Sequence, residues 1–88
     1  MTGLRKLQDR FTETIDRDEI ILMRMDTGEF FALSGTAAAT WKLIDGERDR
    51  DALIEALQVE FAGSPAPIAK DVDQLLGQLM GIGLLARE

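Results

Sequence analysis

One stretch decides the fold: residues 26–37 read Asp-Thr-Gly-Glu-Phe-Phe-Ala-Leu-Ser-Gly-Thr-Ala. Residues 26–28 favour a tight turn, because Asp tolerates turn geometry and Gly accepts a positive φ. Residues 29–33 have the apolar composition of a strand, and Ser34 is a good N-cap for the helical pattern that follows it. The chain is therefore predicted to change from strand to helix at residue 34.

Upstream of this stretch the sequence has the patterns of β-strands. Residues 11–16 alternate with a period of two, and a charged segment at residues 16–18 interrupts the alternation. The short apolar run at residues 20–25 is typical of a central strand. Two tight connections predict a three-stranded antiparallel meander in which residues 29–33 form an edge strand.

Downstream, the periodicity becomes helical. A first helix is predicted over residues 35–45, and a second, capped by Asp49 and stopped by Gly63, over residues 51–62. A third begins at Ser64-Pro65, because proline suits a first-turn position that needs no hydrogen-bond donor. Its apolar stripe consists of Ile68, Val72, Leu75, Leu76 and Leu79. Strands followed by helices predict an α+β fold, and these are the parts of a winged helix-turn-helix.

Length and composition exclude several classes of protein. The chain has 88 residues, which we expect to form a flexible N-terminal arm (residues 1–10) and a single domain (residues 11–88). It contains no Cys and no His, which removes disulfides, thiolate and imidazole chemistry and most zinc, haem and iron–sulfur sites. Its net charge of −6 disfavours nucleic acid and anionic membranes as partners. No apolar run approaches the roughly 20 residues that span a bilayer, and we expect a cytoplasmic protein.

No group of residues indicates catalysis or a metal site. Ser34 and Ser64 lack the context of a catalytic serine, and each is predicted to cap a helix instead. Asp16, Asp18 and Glu19 lack the glycine and the distal glutamate of a calcium loop. We therefore expect a protein that is not an enzyme and that has no catalytic residues, no metal and no cofactor.

The predicted edge strand, residues 29–33, is the strongest candidate for a binding surface. It contains neither proline nor lysine, which commonly protect an edge, and it carries one charge, at its start. Unpaired main-chain groups along such a strand can accept an extended peptide as one more strand. Alternation places Phe31 and Leu33 on one face, where we expect core packing, and Phe30 and Ala32 on the other.

These residues resemble a known family. Residues 26–34, followed by Thr36-Ala37-Ala38 and Trp41, are similar to the PqqD-like pattern of a turn glycine, an aromatic pair, Leu-Asn and Thr-Ala-Ala. The resemblance covers roughly residues 11–86. It implies a winged helix-turn-helix recognition element that binds the leader of a ribosomally synthesised precursor peptide and presents it to a modifying enzyme. It also implies that the leader adds antiparallel to the third strand, in a groove closed by the third helix.

Carried onto this sequence, the resemblance implies a peptide-binding surface on the third strand and the outer face of the third helix. In that surface Gly77 would allow close approach, and Lys70 would pair with a leader carboxylate. Its residues are Glu29, Phe30, Phe31, Ala32, Leu33, Lys70, Asp73, Gln74, Gly77 and Gln78.

The sequence departs from the family pattern in two places. Ser34 stands where asparagine is usual, and residues 19–25 lack the Leu-x-Pro-Glu stretch of the pyrroloquinoline quinone members. The second departure favours another peptide system, whose enzyme is a radical enzyme or a lasso-type leader peptidase. The alternative function is a winged-helix transcriptional regulator or protein-interaction module, although Lys70 is the only base of the third helix. An exposed edge also permits a homodimer.

Overall fold

A computed structural model describes residues 3–87 of the chain. These residues form a three-stranded antiparallel sheet, three helices and a two-stranded sheet. In chain order the elements are β1 (Leu4–Lys6), a 3-10 turn (Gln8–Arg10), β2 (Phe11–Asp16), β3 (Glu19–Arg24), β4 (Phe30–Leu33), α1 (Gly35–Leu43), α2 (Arg50–Phe61), α3 (Pro65–Gly81) and β5 (Leu85–Arg87). The α+β prediction, three strands followed by three helices, is confirmed.

The segment before β2 differs from the expected flexible arm. β1 pairs antiparallel with β5, and Leu4 lies opposite Arg87. Leu4 is only 2% exposed, and its main chain is hydrogen-bonded to the α1–α2 loop at Gly46 and Arg48. Three residues are too few to show a periodicity, and the partner strand lies at the other end of the chain, so the sequence does not reveal this strand. Residues 1 and 2 of the expected arm lie outside the described residues.

The three-stranded sheet has the order β2-β3-β4, so β3 is central and β4 is an edge, as predicted. Leu22 lies opposite Phe31, and Ile20 lies opposite Leu33. These four side chains belong to the core, where Phe31 is partly buried and the other three are buried. Phe30 lies on the opposite face and is 70% exposed. The predicted division of β4 between core and solvent is confirmed.

The helices close the core through apolar stripes. From α3, the structure buries the five residues that its periodicity predicts: Ile68, Val72, Leu75, Leu76 and Leu79. From α1, Trp41 is fully buried. The ring of Phe11 packs edge-on against it, with the two ring centres 5.3 Å apart, and the Nε1 of Trp41 donates a hydrogen bond of 2.8 Å to Glu13. The Lys6 amino group lies 4.3 Å from the centre of the Trp41 ring, and burial lowers the pKa of this amine. Trp41 thus connects β1 and β2 to the helices.

The helix starts follow the prediction in part. Asp49 caps α2, where its Oδ1 accepts a hydrogen bond of 2.9 Å from the N–H of Ala52. Ser34 and Ser64 occupy the N-cap positions of α1 and α3, but neither side chain makes a capping hydrogen bond. Gly35, directly after Ser34, has a φ of +56°, which is outside the helical range of an ordinary first turn. The predicted N-cap positions of Ser34 and Ser64 are therefore confirmed, whereas the side-chain hydrogen bonds expected of a cap are not formed.

The end of α2 lies one residue before the predicted glycine stop. Ala62, with φ 50° and ψ 37°, is the residue in the left-handed region, and Gly63 is not. A left-handed alanine costs roughly 1–2 kcal/mol, whereas a glycine there loses roughly 0.5–1 kcal/mol of extra chain entropy on folding. We therefore expect Ala62→Gly to raise the free energy of unfolding by about 0.5–1 kcal/mol in a urea titration.

Ala56→Gly is the matched control, because it makes the same change inside the same helix. We expect it to lower the free energy of unfolding by about 1 kcal/mol, since glycine is a poor residue for a helix interior. Destabilisation by both substitutions would mean that Ala62 is not strained in the folded protein.

Candidate functional site

Within residues 3–87, β2 and β4 each pair only with β3, so the sheet has two edges. β2 carries Glu13 and Asp16 among threonines, and charged side chains protect an edge against strand addition. Glu13 also reaches inward, where its carboxylate accepts the hydrogen bond of Trp41. β4 has the sequence Phe-Phe-Ala-Leu and carries no charge. β4 is therefore the edge that can accept an added strand.

The main-chain groups that β4 offers follow from the hydrogen-bond pattern of its pairing with β3. The N–H of Arg24 donates to the C=O of Glu29 at 2.9 Å, so these two residues form a hydrogen-bonded pair. In an antiparallel pair, hydrogen-bonded and non-hydrogen-bonded pairs alternate along the strands. Phe30 and Ala32 fall in the non-hydrogen-bonded pairs and direct their N–H and C=O groups away from β3. Two donors and two acceptors are therefore open along this edge.

A groove with a volume of about 350 Å³ adjoins the open edge. It lies between β4, the start of α1 and one side of α3. Its lining residues are Ala32, Leu33, Ser34, Thr36, Ala37, Asp71, Gln74, Leu75 and Gln78. Because side chains of a strand alternate between its two faces, a strand added to β4 would direct every second side chain towards this groove. The open edge and the groove form one continuous candidate site.

The residues predicted from the third strand have different surroundings. Phe30, Phe31, Ala32 and Leu33 form β4, and the last two also line the groove. Glu29 precedes the strand, and its carboxylate lies 3.6 Å from the guanidinium of Arg24. Because its C=O also accepts a hydrogen bond from Arg24, Glu29 closes the turn between β3 and β4.

The residues predicted from α3 divide between two sides of the helix. Gln74 and Gln78 line the groove beside β4, whereas Lys70 and Gly77 are exposed outside its lining. Asp73 faces α2, where the guanidinium of Arg50 donates hydrogen bonds of 2.5 and 3.0 Å to its carboxylate. These bonds lower the pKa of the Asp73 carboxyl. Contact of Lys70, Asp73 and Gly77 with a peptide stays a prediction.

Some groove residues are not among the predicted site residues. Thr36 and Ala37 enter the lining from the first turn of α1, and Asp71 enters it from α3. Each residue of a helix turns by about 100°, so positions 71, 74, 75 and 78 share one side of α3. The sequence contains this pattern, but it does not show which side of α3 lies next to β4.

Two larger cavities, of about 460 and 470 Å³, lie away from the open edge. The first lies between the start of β2, the end of β3 and the segment after α3, where Arg24 is already paired with Asp26 at 2.8 Å. The second lies between α1 and the end of α2, beside Phe61. Among residues 3–87, no group of three ligand side chains is placed to hold a metal ion, and no helix is long and apolar enough to cross a membrane.

The fold and the site define a small winged-helix domain whose open strand edge lies beside a shallow groove. Comparison with known families identifies which domain of this class it is. The family described as Coenzyme PQQ synthesis protein D (PqqD) matches residues 19–85, which is most of the chain. The chain therefore belongs to the PqqD family.

A solved structure, "TbiB1 in Complex with the TbiA(beta) Leader Peptide", is similar to this chain with a TM-score of 0.80. The two sequences are 22% identical, and the match covers 92% of this chain and 94% of that chain. At this identity the likeness shows that the fold is shared over nearly its whole length. A comparison with curated proteins gives no significant match.

Proposed function

We propose that this chain is a non-catalytic recognition element that binds the leader of a ribosomally synthesised precursor peptide. The observation that carries the proposal is the open edge of β4, where the main chains of Phe30 and Ala32 face away from the sheet beside a groove. An extended leader added there would gain main-chain hydrogen bonds from the edge and selectivity from the groove. Membership of the PqqD family supports this function, as does TbiB1, which shares the fold and is in complex with a leader peptide.

The role of the bound leader would be to bring the precursor to its modifying enzyme. The chain lacks the Leu-x-Pro-Glu stretch of the pyrroloquinoline quinone members, which supports a different peptide system. A radical enzyme or a lasso-type leader peptidase is the partner that this reasoning favours.

The alternative, a winged-helix regulator that binds DNA, is not favoured by the charges of α3. Lys70 is the only base of this helix, and Asp71 and Asp73 flank Val72 beside it. A helix that enters a DNA groove needs several bases to neutralise phosphates, and the whole chain has a net charge of −6. A titration with duplex DNA at low salt checks this, and salt-dependent binding would favour the regulator.

The test of the proposed function is an amide NMR titration with synthetic leader peptides from the precursor genes that neighbour the gene of this chain. In the free protein, the amides of Phe30 and Ala32 face solvent and should exchange rapidly, whereas the amide of Leu33 is bonded to β3. A bound leader should protect Phe30 and Ala32 from exchange and shift the signals of Gln74 and Gln78. This pattern would support strand addition at β4.

Other patterns would contradict the proposal. Shifts confined to α2 or to the charged edge of β2 would place the peptide elsewhere. Protection of Phe30 and Ala32 that grows with protein concentration, without any peptide, would mean that a second copy of this chain occupies the edge. A domain that binds none of the leaders under conditions where it is folded would also overturn the function.

A further inference from the structure

The groove beside β4 has a mixed lining of apolar and polar side chains with one charged residue. Leu33, Ala37 and Leu75 supply apolar surface, and Asp71 is the charged residue of the lining. Asp71 is exposed, and within residues 3–87 its carboxylate makes neither a hydrogen bond nor an ion pair. We propose that Asp71 makes the groove selective for a leader that directs a lysine or arginine side chain into it. This inference rests on the proposed function.

The shape and chemistry of the groove suit a long basic side chain. Lysine and arginine carry an aliphatic stem that lies well on apolar surface, with a charged head that stays near water. The stem would lie over the apolar side chains of the lining, and the head would reach the carboxylate of Asp71. The side-chain carbonyl oxygens of Gln74 and Gln78 are two further acceptors in the same lining. A net charge of −6 also attracts a basic peptide segment from a distance.

The same arrangement disfavours an acidic side chain at that position. The groove lining contains no lysine or arginine, because Lys70 lies outside it. A leader carboxylate in the groove would therefore face Asp71 without a compensating cation. Two like charges that face each other lower the affinity, so Asp71 would strengthen the binding of basic leaders and weaken the binding of acidic ones.

Asp73 provides a matched control on the same helix. It lies two residues from Asp71, but it faces α2 and is hydrogen-bonded to Arg50. Asp71→Asn and Asp73→Asn change the net charge by the same amount, so they affect long-range attraction about equally. Asp73 lies outside the groove lining, so a peptide contact of Asp73 would act at another position of the bound segment, and the preference at the groove position should distinguish the two variants.

The experiment uses mRNA display to select binding peptides from a library of random twelve-residue peptides. The selection is run separately on the unmodified chain, Asp71→Asn, Asp71→Lys and Asp73→Asn, each first shown to be folded by circular dichroism. We expect the unmodified chain and Asp73→Asn to enrich lysine or arginine at one fixed position of the bound segment. Asp71→Asn should lose that enrichment, and Asp71→Lys should enrich aspartate or glutamate at the same position.

Affinities measured with one selected peptide show how much the contact between its basic residue and Asp71 contributes to binding. Replacing its enriched base by glutamine should weaken binding to the unmodified chain by about two- to fivefold, the range of an exposed ion pair, and should not change binding to Asp71→Asn.

Three outcomes would contradict the inference in distinguishable ways. In the first, the selected peptides fail to bind Ala32→Pro, so they need the open edge, but their sequence preference is the same on the unmodified chain and on the two Asp71 variants. This outcome would overturn the role of Asp71 and leave the proposed function standing. Peptides that bind Ala32→Pro as well as the unmodified chain would overturn strand addition itself. A selection that yields no binding peptide would overturn both.

Discussion

Ala32→Pro is expected to weaken leader binding by about 5- to 150-fold while the domain stays folded. The N–H of Ala32 faces away from β3, so proline removes a hydrogen bond to the leader without removing one from the sheet. The leader carbonyl that loses its donor would be buried in the added strand, and an unsatisfied buried acceptor costs roughly 1–3 kcal/mol. The proline ring also occupies the space of the missing hydrogen. Proline is tolerated at edge positions whose N–H faces solvent.

Two further variants make this result specific. Ala32→Ser keeps the N–H and should bind the leader like the unmodified chain. Phe31→Pro removes an N–H that is bonded to β3, so it should lower stability as well as binding. Binding is measured by isothermal titration calorimetry and folding by circular dichroism. Full affinity in a folded Ala32→Pro variant would rule out strand addition at this edge.

Trp41→Ala should destabilise the domain by about 3–5 kcal/mol, because a fully buried indole leaves a large cavity. The change also removes the hydrogen bond to Glu13 and the edge-on contact with Phe11. Domains have a total stability of roughly 5–15 kcal/mol, so this variant should lose a large part of the stability of the fold. The measurement is urea unfolding followed by far-UV circular dichroism, since the tryptophan signal is lost.

Trp41→Phe separates packing from hydrogen bonding. It keeps an aromatic ring in the core and loses the N–H donor, so we expect a smaller loss than for alanine. Glu13→Gln keeps a carbonyl acceptor for the indole N–H and should change stability least of the three. A loss below about 1 kcal/mol for Trp41→Ala would show that the side chain does not join β1 and β2 to the helices.

Local patterns in the sequence were sufficient to predict most of the fold. The buried side of an element is indicated by the alternation of residues 11–16 and by the stripe from Ile68 to Leu79. The turn at residues 26–28 indicates where two strands connect. Each depends on residues that are close in the chain, so a period of two or of 3.6 reveals it. The edge position of β4 follows in the same way, from two tight connections between three strands.

Features that depend on distant pairings could not be predicted in this way. β1 is a strand because β5 lies beside it, and the hydrogen bond from Trp41 to Glu13 joins residues that are 28 positions apart. The candidate site shows the same division. The place of residues 30–33 in the candidate site could be predicted from the sequence. The rotation of α3 could not, because it depends on the packing of three helices. This rotation brings Gln74 and Asp71 to the groove and turns Asp73 towards Arg50.

The short length of β4 has a consequence for the lifetime of a complex. Two outward-facing residues provide four main-chain hydrogen bonds, each contributing about 0.5–1.5 kcal/mol net, or about 2–6 kcal/mol together. Micromolar affinity requires about 8 kcal/mol, so such a ladder alone gives a weak complex that dissociates quickly. A precursor held mainly in this way would depart soon after processing, and one copy of the domain could serve many precursor molecules in succession.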